Sequence, residues 1–142
     1  MKYIEIKGDL FAAPQGFYLA HCISSDFALG AGIAKKFDEV YDMRFKLHKR
    51  FPNKRFGYVD KALLIDNVFN LVTKYKCYHK PTYYSLQRTL FDMKEQCIAL
   101  DITKLAMPKI GSGLDKLEWK EVKSLIHEVF EDTNIFIVIY IL

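Results

Sequence analysis

The last eight residues, 135–142, read Ile-Phe-Ile-Val-Ile-Tyr-Ile-Leu and are apolar on both faces of an extended chain. A strand at a wetted surface alternates apolar and polar side chains, whereas a strand that is apolar on both faces must be covered on both. This segment therefore predicts an interior strand of a sheet with helices packed on its two sides. It is far too short to be a membrane span.

The rest of the chain changes repeatedly between the spacing of strands and the spacing of helices. Apolar and β-branched runs predict strands at 3–7, 17–23, 58–65, 68–73 and 105–110. The two strands on either side of Asp66-Asn67 are predicted to form a hairpin. Apolar side chains at helical spacing predict helices over 33–51, from Thr82 to residue 100, and over 119–129. We expect one α/β domain spanning residues 1–142, built on a mixed sheet.

Composition excludes several classes of protein. The chain has 142 residues, 51% of them apolar, and a net charge of +4, so a single folded domain is expected rather than disorder. Its three cysteines show no CxxC spacing, which argues against a disulfide scaffold or a zinc site. The amino terminus is too polar for a signal peptide, so a cytoplasmic protein is expected, and because no segment marks a dimer surface we expect a monomer.

Basic residues are concentrated in the stretch between residues 44 and 55. This run favours a solvated helix face and turn, although it is also compatible with a surface for nucleic acid or an acidic partner. Its members are Arg44, Lys46, Lys49, Arg50, Lys54 and Arg55.

Two glycine-rich turns each follow a predicted strand and precede a predicted helix. They are Gly30-Ala31-Gly32-Ile33-Ala34 and Ile110-Gly111-Ser112-Gly113-Leu114. Glycine allows the backbone to approach a ligand closely, and a helix amino terminus offers free N–H groups to an anion. The pair could clamp a diphosphate, or each turn could simply connect a strand to a helix. Neither matches a Walker A or a GxGxxG motif.

Four polar residues beside these segments could carry chemistry. Lys74 ends a predicted strand, where it is either a solubilising edge residue or a nucleophile. Asp115 stands three residues before Glu118, in the pattern of a helix capping box, but could equally be a base beside a phosphate loop. Asp9 is either a turn residue or a hydrogen-bond acceptor for an exocyclic amine. His21 lies in an apolar strand, where a histidine is more often a core residue than a catalyst.

In this order along the chain, these segments resemble the macro domain family, and more narrowly its terminal ADP-ribose protein glycohydrolases. The resemblance covers nearly the whole chain and is specific because the blocks occur jointly. The matching blocks are Gly8-Asp9-Leu10-Phe11, His21-Cys22-Ile23-Ser24, residues 30–34, Leu71-Val72-Thr73-Lys74, His79-Lys80-Pro81-Thr82-Tyr83, residues 107–115 and Tyr140.

The resemblance implies a three-layer α/β/α sandwich with a mixed central sheet and a cleft for ADP-ribose. In such a cleft Asp9 and Leu10 would meet the adenine, Tyr140 would line its ring, and the two glycine loops would hold the diphosphate and the distal ribose. The residues expected to bind ADP-ribose are Asp9, Leu10, His21, Ser24, Gly30, Ala31, Gly32, Ile33, Ala34, Thr73, Pro108, Ile110, Gly111, Ser112, Gly113, Leu114 and Tyr140.

The resemblance also implies a reaction without a metal or another cofactor. Lys74 would attack the anomeric carbon of the distal ribose, and Asp115 would act as acid and base, so that ADP-ribose is removed from glutamate or aspartate side chains. O-acetyl-ADP-ribose is a second candidate substrate. ADP-ribosylated nucleic acid, and a reader that binds ADP-ribose without turnover, remain alternatives. The chain departs from the family pattern at Ser112, where cysteine is frequent, and at Tyr75.

Overall fold

A computed structural model describes residues 1–52 and 57–142 of the chain. Lys54 and Arg55 of the basic run, and Asn53 of the predicted helix stop, lie outside these residues. The elements in chain order are β1 (Lys2–Lys7), β2 (Tyr18–Ser24), α1 (Gly32–Tyr41), α2 (Met43–Arg50), β3 (Ala62–Ile65), β4 (Val68–Lys74), α3 (Tyr83–Leu100), β5 (Lys104–Met107), α4 (Trp119–Phe130) and β6 (Phe136–Ile141).

The described strands form one six-stranded sheet in the order β1-β6-β5-β2-β4-β3. Among the described strands, β3 alone is antiparallel to its neighbour. The prediction of an interior closing strand is confirmed, because β6 lies between β1 and β5. Its Ile137 and Ile139 belong to one core cluster, and Val138 is buried on the opposite face. The centre of the strand, 137–139, is buried on both faces, which explains why apolar side chains occur at successive positions.

Helices cover the two faces of the sheet in pairs. Helices α3 and α4 pack against the larger core cluster, while α1 and α2 pack against the smaller one on the other face. Side chains of β4 are buried on both faces in alternation, so that Leu71 faces the α3–α4 layer and Val72 faces the α1–α2 layer. This period of two is the pattern expected of a strand with a core on each side. The molecule is therefore the three-layer α/β/α sandwich that the sequence predicts.

The single helix predicted over residues 33–51 is wrong, because two helices meet at Asp42. Asp42 has a left-handed backbone with φ of 54°, and its N–H bonds the carbonyl of Asp38. Phe37 and Met43 are both fully buried. On one straight helix, six residues correspond to a rotation of about 240°, which would turn one of them away from the sheet. The break at Asp42 lets both side chains enter the core.

Other boundaries differ from the predicted ones by a few residues. Strand β3 begins at Ala62 rather than at residue 58, and β5 ends at Met107, since Pro108 cannot donate to a strand ladder. The hairpin of β3 and β4 and the start of α3 after Thr82 are confirmed. In the described part of the chain, none of the helices combines the length and the hydropathy needed to cross a membrane.

One irregularity in the sheet occurs beside Lys74. Along β2 and β4, Ile23 pairs with Val72, but Ser24 pairs with Lys74, so Thr73 is an extra residue in β4. Such a β-bulge bends the strand and redirects the side chains that follow it. The bulge therefore determines the direction in which Lys74 leaves the sheet.

Candidate active site

A cavity of about 810 Å³ lies beyond the carboxyl ends of the parallel strands. It opens between β2 and β5, which pair over only two residue pairs near their starts. The chain leaves β2 toward β4 and leaves β5 toward β6, so the cavity occupies the point where the strand order reverses. Ligands of α/β sheets commonly bind at such a point. The volume lies in the range of small-molecule and cofactor sites.

Lys74 and Asp115 meet at this cavity, although they are 41 residues apart in the chain. The Lys74 Nζ atom lies 2.7 Å from Asp115 Oδ1, and both side chains line the cavity. Their exposed fractions are 14% and 16%, so the pair is largely shielded while remaining open to a ligand. Asp115 does not cap α4: the N-cap of that helix is Glu118, and no side-chain cap bond is made. The capping interpretation of Asp115 is therefore wrong.

Cys22 lines the cavity next to this pair. Burial, together with the negative charge of Asp115, raises the pKa of the Cys22 thiol to about 12. Because the thiolate is the nucleophilic form of cysteine, a thiol with this pKa stays protonated and inert at neutral pH. The other potential nucleophile at this end of the cavity is the amine of Lys74.

The first glycine loop leads directly into α1. Gly30, Ala31 and Gly32 line the cavity. The N-cap of α1, Ala31, is extended and makes no side-chain cap bond, so the first N–H groups of the helix are available to an anion. Gly32 has a φ of +60°, which a residue with a Cβ atom rarely adopts. The loop has the properties of a phosphate site.

The second glycine loop is a series of tight turns rather than a helix start. Leu117 N–H bonds Gly111 O at 2.7 Å, and Lys116 N–H bonds Gly113 O at 3.1 Å. In the described part of the chain, the N–H groups of Gly113 and Leu114 have no hydrogen-bond acceptor. Leu114 is exposed, and its Cδ1 atom would lie 3.0 Å from a Cβ placed on Gly32. The two glycine loops thus meet across the cavity through Leu114.

The end of the cavity away from Lys74 is formed by residues at the carboxyl ends of β1 and β6. Asp9 Oδ1 accepts a hydrogen bond from Phe11 N–H at 2.9 Å, which orients the carboxylate at the start of a short 3-10 turn. The ring of Tyr140 lies against Gly8, where a Cβ would be 3.5 Å from it. Leu10, the residue after Asp9, is buried and also lines the cavity. An aromatic face beside a carboxylate acceptor is suited to a base with an exocyclic amine.

A loop over residues 77–80 forms the rim next to Lys74, and the sequence interpretation did not include it in the site. It lies there because it follows the carboxyl end of β4 directly, which is the signal that could have identified it. Asp26 holds the loop by accepting a hydrogen bond from Cys77 N–H at 3.0 Å. Burial acts to raise the pKa of Asp26, but bonds from Ser24, Cys77 and Ala28 leave it lowered. The loop is thereby tied to the end of β2.

The charge of the cavity is positive. Among the described residues, four lysines and two aspartates line it: Lys74, Lys80, Lys109, Lys116, Asp9 and Asp115. A concave basic site attracts anionic ligands such as a diphosphate. No cluster of three or more histidine, cysteine, aspartate or glutamate side chains with the geometry of a metal site occurs within the described ranges.

Most residues predicted from the sequence to bind a ligand line this cavity, but His21 and Thr73 do not. His21 is completely buried, stacks on Phe37 at 3.9 Å, and bonds Asn70 Oδ1 at 2.6 Å. It is a core residue, and its predicted contact with a ligand is corrected. Thr73 is also buried, in the bulge behind Lys74. Lining residues that the prediction did not include are Gly8, Cys22, Ile23, Leu29, Cys77, Tyr78, His79, Lys80, Lys109, Lys116, Ile141 and Leu142.

Comparison with curated proteins finds relatives that match nearly the whole chain. The ADP-ribose glycohydrolase OARD1 of Homo sapiens is 46% identical over 143 aligned residues, which cover 96% of this chain and 90% of the relative. The DNA ADP-ribosyl glycohydrolase of Thermus aquaticus is 22% identical over 89% of this chain and 37% of its own length. No family model matches the chain.

Solved structures with the same fold are macrodomains. The macrodomain of Mycobacterium tuberculosis DarG superposes with a TM-score of 0.87 at 22% identity, covering 97% of this chain and 96% of the other. Thermosipho africanus DarTG, solved in complex with ADP-ribose, superposes with a TM-score of 0.81 at 17% identity over 99% of this chain and 42% of the other. At such identities the similarity establishes the fold.

Proposed function

The chain belongs to the macro domain family, and on that premise we propose that it removes mono-ADP-ribose from glutamate and aspartate side chains of proteins. The observation that carries the proposal is the Lys74–Asp115 pair, 2.7 Å apart inside a basic cavity of about 810 Å³. A binding module needs the cavity alone, whereas a lysine paired with an acid at its inner end is the arrangement of covalent catalysis. The relative at 46% identity carries the name of an ADP-ribose glycohydrolase.

The lining residues match the parts of ADP-ribose from one end of the cavity to the other. Asp9 would accept a hydrogen bond from the adenine amine, and Tyr140 would lie against the ring. The N–H groups at the start of α1 and those of Gly113 and Leu114 would face the diphosphate. The distal ribose would then lie toward Lys74 and Asp115, which line the cavity beside the carboxyl end of β4.

The first chemical step requires a neutral lysine. Transfer of a proton from Lys74 Nζ to Asp115 Oδ1, along the existing 2.7 Å hydrogen bond, produces an amine and a carboxylic acid. The amine nitrogen then bonds the anomeric carbon of the distal ribose. The bond from that carbon to the acceptor carboxylate breaks, and the acceptor leaves with the electron pair. A covalent lysyl–ADP-ribose adduct remains.

Water resolves the adduct in the second step. The acid proton of Asp115 is first lost to solvent, so that its carboxylate can take a proton from the attacking water. The oxygen of water bonds the anomeric carbon while the carbon–nitrogen bond breaks, and the electron pair returns to the Lys74 nitrogen. Return of the proton from Asp115 to the amine restores the pair. The products are free ADP-ribose and the acceptor carboxylate.

O-acetyl-ADP-ribose is a second candidate substrate, because it also carries an ester on the distal ribose; the lysine mechanism applies to it only when the acetyl group is on the anomeric carbon. A nucleic-acid acceptor is a separate candidate. It is favoured by the exposed lysines at the cavity mouth, Lys80, Lys109 and Lys116, and by the name of the relative from Thermus aquaticus. Phosphates close to the linkage would meet these lysines.

The test is release of ADP-ribose from a protein modified on glutamate, measured for the wild type, Lys74→Ala and Asp115→Ala. We expect release by the wild type and its loss in both variants, with binding of free ADP-ribose retained in calorimetry. Lys46→Ala, which removes a lysine of a surface ion pair, is the matched control and should release ADP-ribose at the wild-type rate.

The other outcomes separate the alternatives. Tight binding of ADP-ribose without release from modified protein, but with release from modified DNA, would move the acceptor to nucleic acid. Binding without release from either substrate would make the chain a reader. Release that survives in Lys74→Ala would contradict the lysine mechanism while leaving the activity in place.

A further inference from the structure

We propose that the first turn of α3, residues 83–86, is the support that aligns Lys74 with Asp115. In this arrangement Ser85 is a positioning residue for Lys74, and Tyr83 is a positioning residue for Asp115. The inference rests on the proposed function, because alignment of the pair matters only if the pair performs the reaction. It adds two residues that do not line the cavity.

The pair needs such a support because its members belong to separate parts of the fold. Lys74 is the last residue of β4, and Asp115 lies in the loop between β5 and α4. A single hydrogen bond joins them. Displacement of a reacting group by about 1 Å can lower turnover by about 100-fold. An element that contacts both the strand end and the loop would remove that freedom.

Ser85 contacts the strand end. Its Oγ atom donates to the carbonyl of Thr73 at 2.8 Å, in a buried position. Thr73 is the bulged residue immediately before Lys74, so its carbonyl belongs to the peptide unit that leads into the lysine. Ser85 Oγ also accepts a hydrogen bond from Thr82 N–H at 3.2 Å, within the capping box of α3. The hydroxyl therefore fixes the bulge to a helix end that is itself held in place.

Tyr83 and Leu86 contact the loop. The Tyr83 hydroxyl accepts a hydrogen bond from Glu118 N–H at 2.9 Å, three residues after Asp115 and at the start of α4. Leu86 packs beneath the beginning of the same loop, where a Cβ on Gly111 would lie 3.5 Å from its Cδ2 atom. One helical turn thus touches both ends of the loop that carries Asp115 and the peptide that carries Lys74.

The experiment compares Ser85→Ala and Tyr83→Phe with two matched variants of the same helix. Tyr84→Phe removes a neighbouring tyrosine hydroxyl that is exposed. Thr89→Val removes a buried hydroxyl that bonds Leu86 O at 2.7 Å. Each purified protein is assayed for kcat and KM of ADP-ribose release from glutamate-modified protein, and for binding of free ADP-ribose by calorimetry. Circular dichroism and thermal unfolding report whether each variant is folded.

We expect Ser85→Ala to lower kcat about tenfold and Tyr83→Phe about threefold, with KM and ADP-ribose affinity unchanged, because only the reacting groups are displaced. Ser85→Thr, which keeps the hydroxyl, should restore most of the loss. Tyr84→Phe and Thr89→Val should match the wild type in kcat. A fold defect would instead change affinity and kcat together.

The proposal is overturned if Ser85→Ala and Tyr83→Phe are folded and keep the wild-type kcat while Lys74→Ala is inactive. It is also overturned if the control variants Tyr84→Phe and Thr89→Val lower kcat as much as Ser85→Ala and Tyr83→Phe do. Should Ser85→Ala fail to fold, Tyr83→Phe decides the matter, since its side chain is exposed and its ring is kept. Absence of release by the wild type would contradict the proposed function itself, and it is seen before any variant is compared.

Discussion

Two lysine–aspartate ion pairs in this protein have the same length and different surroundings. Lys74–Asp115 and Lys46–Asp66 both place the amine nitrogen 2.7 Å from a carboxylate oxygen. The first pair is exposed by 14% and 16% and lines the cavity, whereas the second is exposed by 39% and 51% and joins α2 to the turn between β3 and β4. Distance alone therefore does not identify a functional pair. What separates them is shielding from bulk water together with adjoining space for a substrate.

A neutral buried pair completes the comparison. His21 and Asn70 are both fully buried, and their side chains are 2.6 Å apart. Neither lines the cavity. The three pairs thus allow three expectations to be compared: catalysis at the cavity, little effect at the surface, and sensitivity of stability to pH in the core.

The largest expected effect is on turnover. Lys74→Ala and Asp115→Ala should each lower ADP-ribose release about 1000-fold, which corresponds to about 4 kcal/mol of transition-state stabilisation. Because the two side chains act as one unit, the double variant should be no worse than either single variant. Initial rates with glutamate-modified protein measure this, and Lys46→Ala is the control. A double variant that loses the product of the two single effects would show that the residues act independently.

The next effect is on stability as a function of pH. Burial lowers the pKa of His21 to about 4 from 6.5, opposed by its bond to Asn70. The unfolded chain therefore binds more protons than the folded chain between these values, and the free energy of unfolding falls by about 3 kcal/mol as pH falls from about 6.5 to about 4. This contribution to stability is fully present at neutral pH.

Urea unfolding of the wild type and of His21→Gln, repeated across that pH range, measures the contribution of His21. The difference between the two proteins should change with pH only in this range. In the described part of the chain, His21 Nδ1 has no hydrogen-bond partner, so protonation would place an uncompensated charge in the core. A constant difference between the two proteins would rule out this account of His21.

A smaller effect is expected when both charges of the cavity pair are removed together. Lys74→Met combined with Asp115→Leu should raise the free energy of unfolding by about 1 kcal/mol, because apolar side chains of similar size avoid the desolvation of two ions. Activity should be lost, as expected when functional residues are optimised for reaction and not for stability. Urea unfolding at neutral pH measures the change. A double variant less stable than the wild type would mean that the pair supports the fold.

The smallest effect is expected at the surface pair. Lys46→Ala and Asp66→Ala should each lower the free energy of unfolding by less than about 0.5 kcal/mol, since exposed ion pairs contribute little. In about 1 M salt, where the screening length is about 3 Å, the difference from the wild type should disappear. Urea unfolding at low and high salt measures both quantities. A loss that persists at high salt would indicate a packing role for these side chains.

The two glycine loops show where similar local sequences diverge in the structure. The sequence predicts a strand-to-helix turn for both, which either clamps a diphosphate or only connects the two elements. The first does start a helix, at Gly32, but the second continues through tight turns to Glu118 before α4 begins. The local pattern could not show this, because the course of the second loop depends on Lys74 and Tyr83, which contact it from other elements.

His21 illustrates the reverse difficulty. The family resemblance placed it among the ligand contacts, while its apolar strand suggested a core residue, and the core position is the one observed. The three residues that follow His21 in β2, Cys22, Ile23 and Ser24, line the cavity because they lie nearer the carboxyl end of the strand. The sequence indicates the strand but not how far along it the cavity begins.

The sequence by itself determined the interior strand at the carboxyl terminus, the helix layers on both faces, and the polar residues at strand ends where a ligand could bind. These features follow from periodicity and residue preference, which act over a few neighbouring positions. Only the tertiary structure decided that Lys74 meets Asp115, that β2 and β5 leave a cavity between them, and that the first turn of α3 contacts Thr73 and Glu118, which lie near the two members of the pair in the chain. Such distances depend on how elements far apart in the chain pack together, and no local pattern in the sequence encodes them.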